Sequence, residues 1–137
     1  MAIFTYVNPS VTIGSTDLSS YVTKVTVEYK VDQVESTASG DLAHKYVGGL
    51  QNNTVTIDFN QDFAATKIDA TLFPLVGTQV NTIKVVPTAS TVSATNPSFT
   101  VSNAYLSGYA PVNMGAVGDL ASVEAVFNGG TLVKATS

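Results

Sequence analysis

The residues of this chain that could carry chemistry are a single histidine and a small group of carboxylates. His44 is the only histidine, and a Ser-His-Asp triad or a zinc site would require it to be partnered. Asp58 and Asp62 are close enough in sequence to form a divalent-cation site or an acid/base pair. However, Asp58 falls on the polar side of an alternating segment, and Asp62 precedes a helical pattern that it can cap. We therefore expect His44 to be exposed or at an interface, and the carboxylates to be solvated or capping residues.

The glycines and the lack of cysteine argue against other chemistries. The glycines at 48–49, 115–118 and 129–130 do not open a helix after a strand with Lys-Ser/Thr following, so they are typical of turns rather than of phosphate-binding loops. With no Cys, the chain has no disulfide, thiolate nucleophile or Cys-ligated metal. The sequence predicts a protein that is not an enzyme and that uses no metal or cofactor.

The composition indicates a surface that is partly covered by other molecules. The length of 137 residues suits one domain over 1–137. Hydrophobic residues make up 45% and charged residues 12%, about half the usual charged share. Because a soluble monomer usually carries more surface charge, the deficit predicts that part of the exterior is buried against partners.

The chain is acidic, with a net charge of −4. Its six basic residues are all Lys, and it has no Arg. Arg is preferred for bidentate recognition of phosphates and bases, so its absence argues against tight nucleic-acid binding. An acidic surface repels DNA, which is useful in a conduit. The first ten residues lack the features of a signal peptide, and the apolar stretches are far below the ~20 residues of a membrane span. We expect synthesis in the cytoplasm and no membrane association.

Alternation of apolar and polar side chains is the strongest structural signal. Over residues 21–31, Val25 and Val27 alternate with Lys24 and Thr26, which predicts a strand with one buried face. Further strands are predicted at 3–7, 55–59, 80–86, 99–109 and 120–127. Short strands at this spacing are typical of a mainly β fold, an antiparallel β-sandwich or half-barrel.

Two segments depart from this pattern. Residues 65–76 have apolar positions at helical spacing, with Thr66 and Asp69 in the arrangement of a capping box and Gly77 as a stop, so one short flanking helix is expected there. Pro74 is expected to end or kink it near Phe73. Residues 34–53 are predicted to be a long irregular inter-strand loop. Loops of this length are usually functional or make contacts, so this loop is expected to be an arm that docks on another surface, of which a neighbouring subunit is one candidate, the alternative being a loop folded onto its own core.

A series of short motifs follows one order along the chain. They are DLSSYV at 17–22, ESTASGD at 35–41, YVGGL at 46–50, FNQDFA at 59–64, DATLF at 69–73, NP at 96–97 and VGDLA at 117–121. In this order, over residues 11–136, the chain resembles the tail tube (major tail) proteins of long-tailed bacteriophages and related prophages, particularly a short form in actinobacterial phages.

The resemblance implies a structural virion protein that forms hexameric rings, stacked into a hollow tail tube that conducts DNA passively. The loop at 34–53 is then implied to reach the adjacent ring. The implied contact residues are Glu35, Asp41, Leu42, His44, Tyr46, Val47 and Leu50. The residues implied to line the lumen are Lys24, Thr26, Glu28, Thr54, Thr56 and Asp58.

The resemblance also implies partners and a location. The partners are further copies of the chain, tail terminator and tail-tip proteins, and a tape-measure protein or DNA that passes through the lumen without specific binding. The location is the virion tail. Two alternatives stay open at this stage. One is a capsid decoration protein or head–tail connector on a similar β scaffold. The other is a carbohydrate- or host-binding module or a hydrolase, although the chain has no Trp for glycan binding.

Overall fold

The fold is mainly β, as a computed structural model shows for residues 8–113 and 115–137, excluding the side chain of Asn81. The predicted strand at 3–7 lies outside the described residues. The strands are β1 (Ser10–Ile13), β2 (Thr16–Asp17), β3 (Val22–Glu28), β4 (Val31–Glu35), β5 (Tyr46–Gln51), β6 (Thr54–Asn60), β7 (Gln79–Val86), β8 (Ser98–Tyr109), β9 (Ser122–Asn128) and β10 (Thr131–Ala135). The helical elements are α1 (Ile68–Leu72) and two 3-10 turns at Ser19–Tyr21 and Phe73–Leu75.

Eight of the strands form one antiparallel sheet in the order β2-β1-β7-β8-β9-β6-β3, with β10 also paired to β8. Among the described strands this path stays open, because β2 and β3 are its two ends. The sheet is nevertheless strongly curled, since Val27 of β3 lines the same groove of about 270 Å³ as Val85 of β7 and Leu132 of β10. Of the two predicted architectures, the β-sandwich and the half-barrel, the structure is therefore the half-barrel.

The core lies on the concave face of this sheet, and the alternation of the strands explains which side chains reach it. In β6, Val55, Ile57 and Phe59 are buried and the residues between them are half-exposed. β9 repeats the pattern with Val123, Ala125 and Phe127. Full burial of a Val, Ile or Phe side chain contributes about 1.5–3 kcal/mol to the stability of the fold. The apolar faces of the strands therefore determine which side of the sheet turns inward.

The helical segment is shorter than the predicted 65–76. α1 covers Ile68–Leu72, and a 3-10 turn containing Pro74 follows it. The predicted capping box is wrong, because Thr66 has a φ of 64° and the helix begins after Lys67 without a side-chain cap. Ile68 and Leu72 are fully buried in the core cluster. The helix is thus positioned by the burial of these two side chains rather than by its cap. None of the described helices is long and apolar enough to cross a membrane.

The stretch at 34–53, predicted to be an irregular loop, has strand residues at 34–35 and 46–51, which belong to a β-hairpin made of β4 and β5. Val34 pairs with Val47 and Glu35 pairs with Tyr46, so the flanks of the predicted loop are ordered by strand pairing. Alternation did not predict these strands because both of their faces are exposed and Gly48 and Gly49 interrupt the side-chain pattern. Only residues 36–45, between the two strands, form the irregular tip.

Candidate assembly surfaces

The hairpin, residues 31–51, is a direct continuation of the β3–β6 ladder. Glu28 pairs with Thr54 in that ladder, and Val31 pairs with Gln51 in the same register three residues further on. The two pairings are bridged by a hydrogen bond of 2.8 Å from the Asn52 amide to the Lys30 carbonyl. The hairpin therefore continues the paired strands β3 and β6 beyond Glu28 and Thr54. We call the end of the sheet at Thr54 its hairpin end.

Both faces of the hairpin are exposed to solvent. Every residue of β4 and β5 is exposed, and Leu42 at the tip and Leu50 in β5 show 103% and 81% of their reference surfaces. The other large apolar side chains exposed on the hairpin are Val31, Val34, Tyr46 and Val47. A two-stranded hairpin without packing is at best marginally stable in water. The alternative of a loop folded back on its own core is wrong, and the contact of this segment with another molecule stays a prediction.

The charged residues of the hairpin tip are paired within the tip. His44 Nδ1 lies 2.6 Å from Glu35 Oε2, and Lys45 Nζ lies 2.9 Å from Asp41 Oδ1. The hydrogen bond with His44 lowers the pKa of Glu35, and the Ala38 amide lowers the pKa of Asp41. The structure thus brings Glu35, Asp41 and His44 into one small cluster. Its carboxylates are already partnered, which leaves the apolar side chains as the groups without a complement.

The six residues implied to line a lumen lie together on one face of the sheet, the outer face. They form three directly opposed cross-strand pairs: Lys24 with Asp58, Thr26 with Thr56 and Glu28 with Thr54. The same row continues to Glu124 of β9, which lies opposite Asp58. One carboxylate oxygen of Asp58 is buried and accepts no hydrogen bond from the described residues. The outer face is therefore a hydroxyl-rich surface with charges of both signs.

The base of the hairpin is held by Asn53, a residue that the sequence did not single out. Asn53 is fully buried, and its Oδ1 accepts a hydrogen bond from the Lys30 amide at 3.2 Å. Its Nδ2 donates to Gln51 Oε1 and to the Gly130 carbonyl, both at 3.0 Å. The Asn52-Asn53 pair is equally typical of an exposed turn, so the sequence carried no signal for this role.

Replacing Asn53 with Ala is expected to lower the free energy of unfolding by about 1–3 kcal/mol, because the Lys30 amide and the Gly130 carbonyl lose the partly buried hydrogen bonds that Asn53 makes with them. Urea denaturation would measure the change. Asn52→Ala is the matched control: its side chain is exposed and its backbone bond is unaffected. That variant is expected to stay within about 0.5 kcal/mol of the unmodified protein. Equal stability of both variants would contradict the role given to Asn53.

A second exposed apolar surface lies at the opposite end of the sheet, where β6 ends at Asn60 opposite Ser122 of β9. A groove of about 210 Å³, the far-end groove, opens there between Phe63, Val112 and Leu120, with Pro111, Val123 and Gln61 also lining it. Phe63, Val112 and Leu120 are 63%, 76% and 77% exposed. No local sequence pattern predicts this surface, because its side chains come from two loops that are distant in sequence.

The wall of the far-end groove is held by a half-buried polar network. Gln61 Nε2 donates to the Tyr109 hydroxyl at 3.0 Å and to the Pro111 carbonyl at 2.7 Å. The Tyr109 hydroxyl donates in turn to Asp69 Oδ1 at 3.0 Å, and burial raises the pKa of Tyr109. These bonds join the end of β6, the end of β8 and α1, so the groove is a preformed feature of the sheet.

The residues considered for catalysis are in separate places. His44 lies on the hairpin tip, Asp58 on the outer face of β6, and Asp62 beyond the end of that strand. Asp62 accepts a hydrogen bond from the Ala64 amide at 2.9 Å, which is a turn-capping role. Within the described ranges, no group of three or more His, Cys, Asp and Glu residues could hold a metal ion.

Comparison with solved structures identifies the fold. The chain is similar to a chain of an extracellular contractile injection system, the PVC sheath–tube complex in its extended state, with a TM-score of 0.72 and 14% identity over 98% of this chain and 92% of that one. It is also similar to a chain from the tail of an empty GTA particle, solved with C6 symmetry, with a TM-score of 0.55 and 14% identity over 92% of each chain. Hcp1 from Flavobacterium johnsoniae is similar with a TM-score of 0.52 and 17% identity, over 93% of this chain and 98% of that one.

The chain therefore has the fold found in these injection-system and tail assemblies, and the resemblance to tail tube proteins is confirmed at the level of the fold. No protein-family model matches the sequence, and no curated protein matches it.

Proposed function

We propose that this protein is a tail tube subunit, which forms hexameric rings that stack into a hollow tube. The observation that carries the proposal is the hairpin, whose two faces are both exposed and whose apolar side chains have no complement on the described part of its own subunit. A protruding element of this kind requires another molecule for its burial. The similarity to a chain from a tail with C6 symmetry supports six-fold rings of like subunits.

In the proposed tube, the outer face of the sheet lines the channel. Thr26, Thr54 and Thr56 offer hydroxyl groups, and the acidic Glu28, Asp58 and Glu124 outnumber Lys24. DNA is retained on proteins by Lys and Arg contacts to phosphates. Lys30 Nζ also pairs with Glu28 Oε1 at 3.0 Å. A surface with three carboxylates and two Lys, one of them already paired, therefore lets DNA or a tape-measure protein pass without specific binding.

The proposed role is mechanical and non-catalytic, and it is exercised in the virion tail after synthesis in the host cytoplasm. Tail terminator and tail-tip proteins are the proposed partners at the two ends of the tube. The similarity to a chain of the anti-feeding prophage cap, which is a tube-terminating cap, at a TM-score of 0.71 supports an assembly that is closed by related subunits.

Electron microscopy of the purified full-length protein tests this function. We expect hollow filaments or six-fold rings whose fraction increases with protein concentration, because stacking is a bimolecular step. Light scattering after size exclusion would supply the mass of the smallest assembly. Monomers at every concentration, or trimers that bind only to capsid shells, would contradict the proposal, and the latter would favour a decoration protein.

A further inference from the structure

The hairpin and the far-end groove lie at opposite ends of the same strands. β6 begins at Thr54, where the hairpin leaves the sheet, and ends at Asn60, beside the groove. These seven residues span about 20 Å. The hairpin continues the strand direction away from the groove, so the tip faces away from the groove of its own subunit. A second copy displaced along the strand direction, in contrast, presents its groove to the tip.

We infer that the far-end groove of one subunit receives the hairpin tip of the next copy, with Leu42 entering between Phe63, Val112 and Leu120. This inference rests on the proposed tube and names the surface that completes its ring-to-ring contact. The contact is head-to-tail, so each subunit donates one hairpin and accepts another, and the stack can extend indefinitely.

The chemistry of the two surfaces is matched. Leu42 is the most exposed large apolar side chain on the described part of the chain, at 103% of its reference surface. The groove is bordered by apolar side chains that are themselves largely exposed, and its volume of about 210 Å³ is sufficient for a side chain of this size. Joining them removes apolar surface from water on both copies at once.

The charges around the two surfaces are compatible with this contact. Asp119 lines the groove and holds its loop by accepting a hydrogen bond from the Ala116 amide at 3.0 Å. On the tip, Glu35 is paired with His44 and Asp41 with Lys45. Neither carboxylate would therefore approach Asp119 without a partner of its own. The hydrogen bonds of Gln61 to Tyr109 and to Pro111 also hold one wall of the groove in place before the tip arrives, which lowers the ordering cost of binding.

Cysteine cross-linking tests the pairing cleanly because the chain has no cysteine of its own. A full-length protein carrying Leu42→Cys and Leu120→Cys is expected to give a ladder of disulfide-linked multimers under oxidising conditions. The control carries Leu42→Cys with Glu124→Cys, an exposed position on the outer face, and is expected to give no ladder. If filaments form normally without a ladder from the first pair, the inference is wrong while the tube function stands. If no filaments or rings form from the unmodified protein, both are wrong.

A substitution in the groove gives an independent readout. Leu120→Lys is expected to raise the concentration needed for filament formation about tenfold or more, because it places a charge where Leu42 would be buried. Val117→Lys is the matched control: Val117 is 94% exposed on the same loop and does not line the groove. Equal filament formation by both variants would overturn the inference, and circular dichroism would confirm that each variant is folded.

Discussion

A subunit without its hairpin is expected to fold normally and to form no filaments. The structure provides a natural junction for this excision, since the Asn52 amide already donates to the Lys30 carbonyl at 2.8 Å. Residues 31–51 can therefore be replaced by an Asn-Gly pair, which forms the two-residue turn that such a junction requires. In the described part of the chain, the hydrophobic core cluster contains no residue of the hairpin.

The excision should change the free energy of unfolding by no more than about 1–2 kcal/mol. This cost arises because Gln51 accepts hydrogen bonds from Leu132 and Asn53, and both are lost with the hairpin. Urea denaturation would measure stability, and electron microscopy would measure assembly. Filament formation should be absent at ten times the concentration at which the unmodified protein assembles, about the effect of losing 1.4 kcal/mol or more of contact energy.

Point substitutions on the hairpin test whether assembly depends on its apolar side chains or only on the presence of the hairpin. Changing Leu42 and Leu50 together to Ser should weaken assembly as the excision does, because these are the most exposed apolar side chains of the hairpin. Asp32→Ser, an exposed polar change on the same strand pair, should assemble as the unmodified protein does. Normal filaments from the excised protein would show that the hairpin is not the stacking element.

Gly130→Ala is expected to destabilise the subunit strongly. Gly130 has a φ of 81°, and a Cβ there would lie 2.4 Å from the Ser102 carbonyl oxygen and 3.0 Å from the Ala104 amide nitrogen. Both atoms belong to β8, which is paired on both sides and cannot move aside. We expect a loss of about 3 kcal/mol or more, since backbone strain and a steric clash add.

Gly129→Ala is the matched control for this prediction. Gly129 has nearly the same φ, 80°, but a Cβ there would meet nothing within 4 Å. The loss in the free energy of unfolding for Gly129→Ala should be only the cost of holding Ala in the left-handed conformation, about 1–2 kcal/mol. Urea denaturation of the two variants would compare them. Similar losses would contradict the claim that the close approach of Gly130 to β8 determines the difference.

These two glycines also separate β9 from β10, a strand that the sequence did not predict. β9 and β10 run along β8 in one register, with Asn128 opposite Tyr105 and Thr131 opposite Ser102, and the glycines interrupt them in between. β10 was missed because its residues, Thr131–Ala135, do not alternate clearly between buried and exposed. Its strand character depends on pairing with β8, which is a tertiary contact.

The longer strands with a buried face were predictable from local pattern, whereas the four-residue β1 was not predicted although Val11 and Ile13 are buried. Ile57 and Phe59 in β6 and Ala125 and Phe127 in β9 alternate with exposed neighbours because a strand places successive side chains on opposite faces. The hairpin was predicted as a contact element, from its length and its apolar residues, but its strands were not. With no face buried in the subunit, β4 and β5 have no periodic signal to read.

The sequence alone determined the class of the fold and the segments that form most of the sheet, because these follow from local periodicity and from the residue types present. The tertiary structure decided where the surfaces lie. Only the pairing of β3 with β6 extends the hairpin from one end of the sheet, and only the convergence of two separate loops forms the far-end groove. Both depend on contacts between residues distant in the chain, which no local pattern records.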